Sequence, residues 1–352
     1  MSYIGNPTIS WENVLKQNYA VEFKFFKHLT ASVDYFTEYC GNRLYMPASL
    51  PQASGLQSSS IPRQNLGKSR NHGYEIELGW AKEFSQNFHL NVSGQYSFAK
   101  SKIIYCDEVE LDPTYLYRKR VEGFMPGQQW GYSIDYSNGN GYINTPEELE
   151  WATNSYDLGT PRLGDFLYKD ANNDGRINER DLVPIKYSAI PLASYGFNIT
   201  MQYKRFGMVA QFNGVAGASA YRMGMGVSEN QSYGIYTDYH LKAWTKERYE
   251  SGEKIEYPAL TTQSSSVSLQ QNDFFINNRS YLRLKNLTFS YSLPQNNLFK
   301  SLGVSSGNIY LYGNNVFIID NQRVKAVDAE TSGQSVSYPL NRTYTLGLNI
   351  KF

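Results

Sequence analysis

The stretch Thr343-Tyr344-Thr345-Leu346-Gly347-Leu348-Asn349-Ile350-Lys351-Phe352 alternates polar and apolar residues without interruption and stops on an aromatic ring. Successive side chains of a strand point to opposite faces. Tyr344, Leu346, Leu348, Ile350 and Phe352 therefore share one face, and Thr345, Gly347, Asn349 and Lys351 the other. One face suits lipid and the other a wet interior, the two-sided pattern of a strand in a membrane barrel; a soluble sandwich strand shows the same alternation, but has no reason to put the terminal carboxylate directly after its last buried aromatic. The pattern recurs at Tyr19, Val21, Phe23 and Phe25; at Leu29, Ala31, Val33 and Tyr35; and at Tyr74, Ile76, Leu78 and Trp80. It returns at Phe88, Leu90, Val92, Tyr96 and Phe98, and at Tyr195, Phe197, Ile199, Met201 and Tyr203. Each run covers roughly the 10 residues that a tilted strand needs to cross a bilayer. The interleaved Glu22, Lys24, Ser32, Asp34, Glu75, Glu77, Gln95, Asn198 and Gln202 would line a lumen as an ordinary solvated face.

Composition agrees with an all-β reading: 30 Tyr, 18 Phe and 28 Gly stand against 7 Met, a profile rich in strand-forming aromatics. The 33 basic and 32 acidic residues nearly balance, so no basic field for nucleic acid exists. No apolar run reaches the roughly 18 residues of a spanning helix, and a chain that crosses a membrane without one does so as a closed barrel. Cys40 and Cys106 have no ligand or disulfide-framework spacing. Residues 1–20 carry no basic start, apolar run and small-residue cleavage site. The expectation is therefore a sequence incomplete at its N terminus.

Connections between the alternating runs are short and long in turn. Phe26–His28, Glu83–Asn87 and Arg205–Gly207 are tight, and Pro294–Gly307 is modest. Residues 40–72, 102–191, 215–279 and 319–342 are expected as long loops. Short periplasmic turns and long extracellular loops are how outer-membrane barrels are built. About nine strands are expected, and an odd number leaves the first and last unable to close antiparallel on each other. The chain is thus expected to be part of a larger barrel. Within the loops, Thr145-Pro146-Glu147-Glu148 predicts a helix start and Asp238–Tyr249 a second helix containing Leu241, Trp244 and Arg248. Gln52–Gln64 and Thr261–Gln271 read as mobile tips.

The sharpest chemical motif runs from Asp170 to Asp181. Asp170, Asn172 and Asp174 stand at positions 1, 3 and 5 of a calcium-loop pattern, Gly175 at the turn and Asp181 at position 12. Arg176 would offer its backbone carbonyl, Asn178 a water-mediated contact, and Ile177 would pack inward. A single calcium ion is the expectation, set against a plain Asx-rich turn. Other chemistry is weak. Gly303-Val304-Ser305-Ser306-Gly307 spells a nucleophile elbow, but a strand and not a helix follows it. His28, His72, His89 and His240 are scattered without ligand spacing, and Glu75/Glu77 and Glu147/Glu148 are neighbours, not facing acids. No catalytic or cofactor residue is assigned.

Taken in order, a set of motifs is similar to the C-terminal part of TonB-dependent transporters of the SusC/RagA type. They are Gly5-Asn6-Pro7 with Trp11-Glu12, Ser32-Val33-Asp34-Tyr35, Asn71-His72-Gly73-Tyr74-Glu75, Gly131-Tyr132, Thr145-Pro146-Glu147-Glu148, Gly164-Asp165 and Tyr168-Lys169-Asp170. Trp244, Tyr257-Pro258, Ser280–Leu287, Tyr310–Asn315, Tyr338-Pro339 and Arg342–Phe352 complete it. The last strand, with Thr345, Gly347, Ile350 and Phe352, also resembles the β-signal read by the barrel assembly machinery. The resemblance implies an antiparallel transmembrane β-barrel of about 22 strands with a plug, in the outer membrane of a Gram-negative cell. It implies import of oligosaccharides or peptides, driven by the TonB system, with a SusD-like surface lipoprotein over the mouth and no enzymatic activity. Residues 1–352 would supply the C-terminal barrel strands, with the plug and N-terminal strands not included. A binding or adhesive barrel without transport, and an outer-membrane enzyme, stay open as alternatives.

Overall fold

The computed structural model describes residues 5–26, 28–48, 61–109, 120–224, 227–229, 236–262, 267–296, 299, 301–323, 325, 327–333, 338 and 340–352. Its strands are β1 (Asn13–Phe25), β2 (Leu29–Tyr45), β3 (Gln64–Ser85), β4 (Phe88–Tyr105), β5 (Trp130–Gly131) and β6 (Val183–Pro184). There follow β7 (Ala193–Tyr203), β8 (Phe206–Ala216), β9 (Ser219–Tyr221), β10 (Ile276–Asn278), β11 (Tyr281–Ser292), β12 (Ser306–Asp320) and β13 (Thr343–Lys351). Among the described residues, the helices α1 (Pro146–Ser155) and α2 (Lys246–Glu250) lie in the long loops. One sheet of nine strands, in the order β1-β2-β3-β4-β7-β8-β11-β12-β13, carries the architecture. Each strand pairs antiparallel with the next in that order, as the alternation predicts, and among the described residues β1 and β13 each keep one unpaired edge.

Register converts the alternation into two surfaces. Phe25, Leu29, Trp80, Val92, Ile199, Ala210, Leu287, Gly313 and Tyr344 are successive cross-strand partners through all nine strands. One residue away runs Lys24, Thr30, Gly79, Ser93, Asn198, Gln211, Asn286, Asn314 and Thr343. The apolar face stays open: Leu78, Phe206, Phe289, Leu311, Leu346 and Leu348 are all exposed. A continuous exposed apolar sheet face on this scale belongs to lipid. At the short-turn end aromatic rings gather, Phe84 against Phe88 at 5.1 Å, Phe88 against Tyr203 at 6.1 Å and Phe206 against Tyr291 at 4.7 Å. Such a girdle suits the interface between acyl chains and water. On the terminal strand, Gly347 lies under the Tyr310 ring, where any Cβ would collide with it.

Three expectations need correction. First, the loop placed at residues 40–72 is shorter, because β2 runs to Tyr45 and β3 begins at Gln64, with Tyr45 paired to Gln64. These strands, 17 and 22 residues long, continue past the bilayer span. Their outer ends carry polar residues on both faces, such as Glu38, Arg43, Arg70 and His72, so alternation vanishes while pairing persists. Second, the helix expected over Asp238–Tyr249 is broken. A single turn at Asp238–Lys242 gives way to extended backbone at Ala243, which bridges Tyr257, before Thr245 caps α2. The break turns Trp244 inward, where its indole nitrogen donates to Asn144 Oδ1 at 3.0 Å. Third, the end of the stretch read as a mobile tip is packed: Val267 and Ser268 are 1% exposed. Residues 52–60 and 263–266 of the expected tips, and Pro339 of the Tyr338-Pro339 motif, lie outside the described residues.

Candidate functional site in the long loops

Described residues of the loops at 106–192, 217–280 and 321–342 build a hydrophobic core beyond the sheet. Tyr142, Ile143, Phe166, Tyr168 and Ile177 from the first loop pack with Trp244, Tyr257, Val267, Phe274 and Phe275 from the second and Val327 from the third. Polar groups cross between the loops. Phe166 N donates to Ser268 Oγ at 3.1 Å, the Tyr168 hydroxyl to Val267 O at 2.9 Å, and Tyr132 N to Gln271 O at 2.9 Å. Burial pushes the Tyr168 hydroxyl well above the ordinary phenol range. Gly164, at φ +82°, is required there because a Cβ would strike the Trp244 ring.

α1 forms where the sequence signals it. Thr145 accepts from Glu148 N at 3.3 Å and Glu148 reaches back to Thr145 N at 3.2 Å, a complete capping box ahead of Pro146. Its C-terminal end carries the loop from Asp170 to Asp181. Tyr156 forms a parallel bridge with Ile177, Ile177 N donates to Ser155 O at 2.8 Å, and Ile177 is fully buried, as its inward packing requires. Asn173 (φ +59°) and Gly175 (φ +80°) turn the chain. Asp170 Oδ2 accepts from Gly175 N at 2.7 Å, Asn172 Oδ1 from Asp174 N at 3.0 Å and Asp174 Oδ1 from Arg176 N at 2.9 Å. Asp181, 1% exposed, accepts from Ala171 N and Asn178 N, each at 2.8 Å. Burial raises its carboxyl above the usual range, with Asp170 and Asp174 adding to the rise. Side chains of this loop are thus held by loop amides, and among the described residues no three His, Cys, Asp or Glu groups are gathered as a metal site. The Arg176 side chain turns away to Asp157.

Three arginines to which the sequence gives no role hold the last loop, Arg283 from β11 and Arg222 and Arg279 from beside the short β9–β10 pair. Arg222, fully buried, donates to Gln322 Oε1 at 3.2 Å, to Thr331 O at 2.7 Å and to Gly333 O. Arg279 donates to Ala329 O at 3.2 Å and Glu330 O at 3.0 Å. Arg283, 3% exposed, meets both carboxylate oxygens of Asp328 at 2.6 and 2.7 Å. Burial pulls Arg222 down to about 10, with Arg279 nearby adding to the effect. No local pattern marks Arg222 or Arg279 as a clamp, and Arg283 belongs to the Ser280–Leu287 motif.

Two other surfaces complete the inventory. A concavity of about 670 Å³ on the polar sheet face is lined by Glu22, Lys24, Ser32, Glu77, Gln95 and Asn198, the residues expected to face a lumen. Asn286 Nδ2 donates to Gln211 Oε1 at 2.7 Å and Asn314 Nδ2 to Asn286 Oδ1 at 2.9 Å, extending that polar row along the sheet. A cleft of about 340 Å³ opens in the loop core beside Tyr136, Tyr142, Phe274 and Arg323. The elbow spelling at 303–307 has no helix after it, and Ser305 Oγ donates to Lys351 O at 3.0 Å.

No family model matches the chain. TonB-dependent receptor P3 of Formosa agariphila is 26% identical over 376 residues, covering 99% of this chain and 35% of that protein. TonB-dependent receptor SusC of Bacteroides thetaiotaomicron is 24% identical over 369 residues, covering 99% of this chain and 32% of its own length. Among solved structures, the RagAB peptide transporter superposes with a TM-score of 0.71 at 21% identity, over 100% of this chain and 37% of that one. The RagAB peptide importer in its open-open state gives 0.68. This second likeness fixes the fold, and the chain spans about a third of the length of the curated relatives it matches. From end to end, the chain resembles TonB-dependent receptors of the SusC/RagA type, as a segment of their β-barrel.

Proposed function

We propose that this chain provides nine strands and a folded loop cap to an outer-membrane TonB-dependent nutrient transporter. The observation that carries the reading is the nine-stranded sheet itself, apolar on one face, polar on the other and open at both edges. Unpaired edges invite further strands, and closure is the way a sheet exists in lipid. Residues 1–352 are the C-terminal part of that barrel in this reading, and β13 carries the signal for the barrel assembly machinery. Energy would come from the TonB system through parts of the protein outside these residues. A SusD-like lipoprotein would close over the loop cap, and the cargo would be an oligosaccharide or a peptide. Disruption of the locus tests the proposal, with uptake measured over a panel of oligosaccharides and peptides. Loss of one cargo, reproduced by removing TonB, is the expected result. Unchanged uptake across the panel sinks import, and binding that persists without TonB-dependent uptake favours an adhesive role.

The loop at 170–181 is proposed to take one calcium ion, with Asp170, Asn172, Asp174 and Asp181 and the Arg176 carbonyl as donors. The backbone turn suits it: Gly175 and the Asx turns leave each carboxylate oxygen a second lone pair. Above its raised pKa, buried Asp181 carries a charge that disfavours the fold; a cation removes that cost, so affinity falls as pH drops and the carboxyl protonates. Affinity of about 10⁻⁴ to 10⁻³ M, that of extracellular modules, is expected. Asp174→Ala should abolish calcium protection of this loop against protease and leave the sheet intact. If calcium and chelator give the same cleavage in the unsubstituted protein, the loop is a turn and nothing more.

A further inference from the structure

The cleft in the loop core is lined by aromatic rings and charged side chains. Tyr136 is 48% exposed and presents its ring to the opening. Tyr142 is 4% exposed and stacks on Phe166 at 5.4 Å, yet its hydroxyl has no hydrogen-bond partner among the described residues. Tyr142 lines the cleft, so its hydroxyl is placed to meet a polar group of a ligand. Arg323 lies with its guanidinium 4.5 Å above the Phe274 ring, close to the Tyr136 hydroxyl and to the Asp273 carboxyl, whose protonation its charge opposes. The opposite wall carries Lys254 and Glu256, paired at 2.6 Å. A neighbouring hollow of about 470 Å³ shares Tyr136 and Lys254 and continues the cleft outward past Tyr249.

We propose that this cleft holds a carboxylate-bearing sugar unit, its ring against Tyr136 and its carboxylate on the fork of Arg323. Guanidinium is the side chain best matched to a carboxylate, and stacking on Phe274 fixes its plane in advance. The Tyr142 hydroxyl and the Lys254–Glu256 pair then offer donors and acceptors of both kinds to ring hydroxyls. A peptide is recognised through main-chain pairing along a strand edge or through a row of apolar anchors; this lining of ring faces, one cation and one ion pair suits a hydroxylated ring better. With a volume of about 340 Å³, near the lower end of small-ligand sites, the inner cleft admits one or two sugar residues. The assignment rests on the import reading for the ligand's onward fate, and on the cleft alone for its chemistry.

Titration calorimetry on the full-length receptor carrying this chain tests it with three probes: digalacturonate, its carboxyl-reduced neutral counterpart, and an acidic dipeptide. Digalacturonate should bind, and Arg323→Met should weaken it at least ~10-fold, the scale of one charge-assisted contact. Arg323→Lys should fall between, because the charge stays and the fork is lost. The neutral disaccharide should bind more weakly, unaffected by Arg323→Met but weakened by Tyr136→Ala. Equal binding of the charged and neutral sugars overturns the role of Arg323, and preference for the dipeptide overturns the sugar. Failure of digalacturonate to bind overturns the site itself. Binding without any TonB-dependent uptake sinks import while leaving the cleft, and uptake of other cargo without digalacturonate binding does the reverse.

Discussion

Arg283→Met is expected to release the segment at 322–333 from the sheet and cost about 3–5 kcal/mol, the scale for removing one partner of a buried ion pair. Arg283 is 3% exposed and grips both oxygens of Asp328, whose side chain is 20% exposed. Removing the guanidinium leaves that carboxylate with the Glu330 amide as its remaining partner, at 2.8 Å. Lys285→Met is the internal comparison: its 3.4 Å pair with Glu330 is one-third exposed on both sides, so its loss should cost less than about 1 kcal/mol. Limited proteolysis of the full-length receptor within 322–333, together with thermal melting, reads both variants. If Arg283→Met is cut no faster than Lys285→Met, the clamp is not what holds the loop.

Phe166→Ala should unfold the loop cap while sparing the sheet. Phe166 is 1% exposed and packs against Tyr142 at 5.4 Å and Phe274 at 5.1 Å. A cavity at a fully buried phenylalanine costs about 3–5 kcal/mol. The strands keep their own ladder hydrogen bonds, so heat-modifiable mobility of the receptor on gels should persist while protease sites in the long loops open. Tyr344→Ala, on the exposed apolar face of β13, should leave the cap unchanged. Simultaneous collapse of cap and barrel in Phe166→Ala would show that the two do not fold as separable units.

The sheet was legible because a strand between lipid and water writes its two environments into alternate residues. Tyr195, Phe197 and Ile199 announce β7 by their spacing alone. Where both environments are water, as at Arg43 and Arg70, the same backbone leaves no such trace, and strand ends were lost. The cap was illegible for a different reason. Phe166 of one loop meets Tyr257, Phe274 and Phe275 of the next with no local period, so neither loop alone marks a core. Tyrosines could not be divided in advance between membrane belt and interior. The structure divides them by neighbours: Tyr203 and Tyr291 join the girdle, whereas Tyr142 and Tyr168 are walled in by other loops. Local signals fared well where they were self-contained, as with the Thr145 cap, and failed where a distant residue intervened, as when Tyr257 broke the helix expected through Trp244.

The bonds that knit the cap span about a hundred positions of chain: Phe166 to Ser268, Tyr168 to Val267, Trp244 to Asn144. Closing such loops in a free chain carries a large entropic penalty and makes folding slow. Here the sheet brings the loop ends together first, since β4 pairs with β7 and β8 with β11, anchoring each loop at both feet. Assembly therefore has an order. The strands are expected to pair before the cap condenses, so the loop core is the last part to take shape.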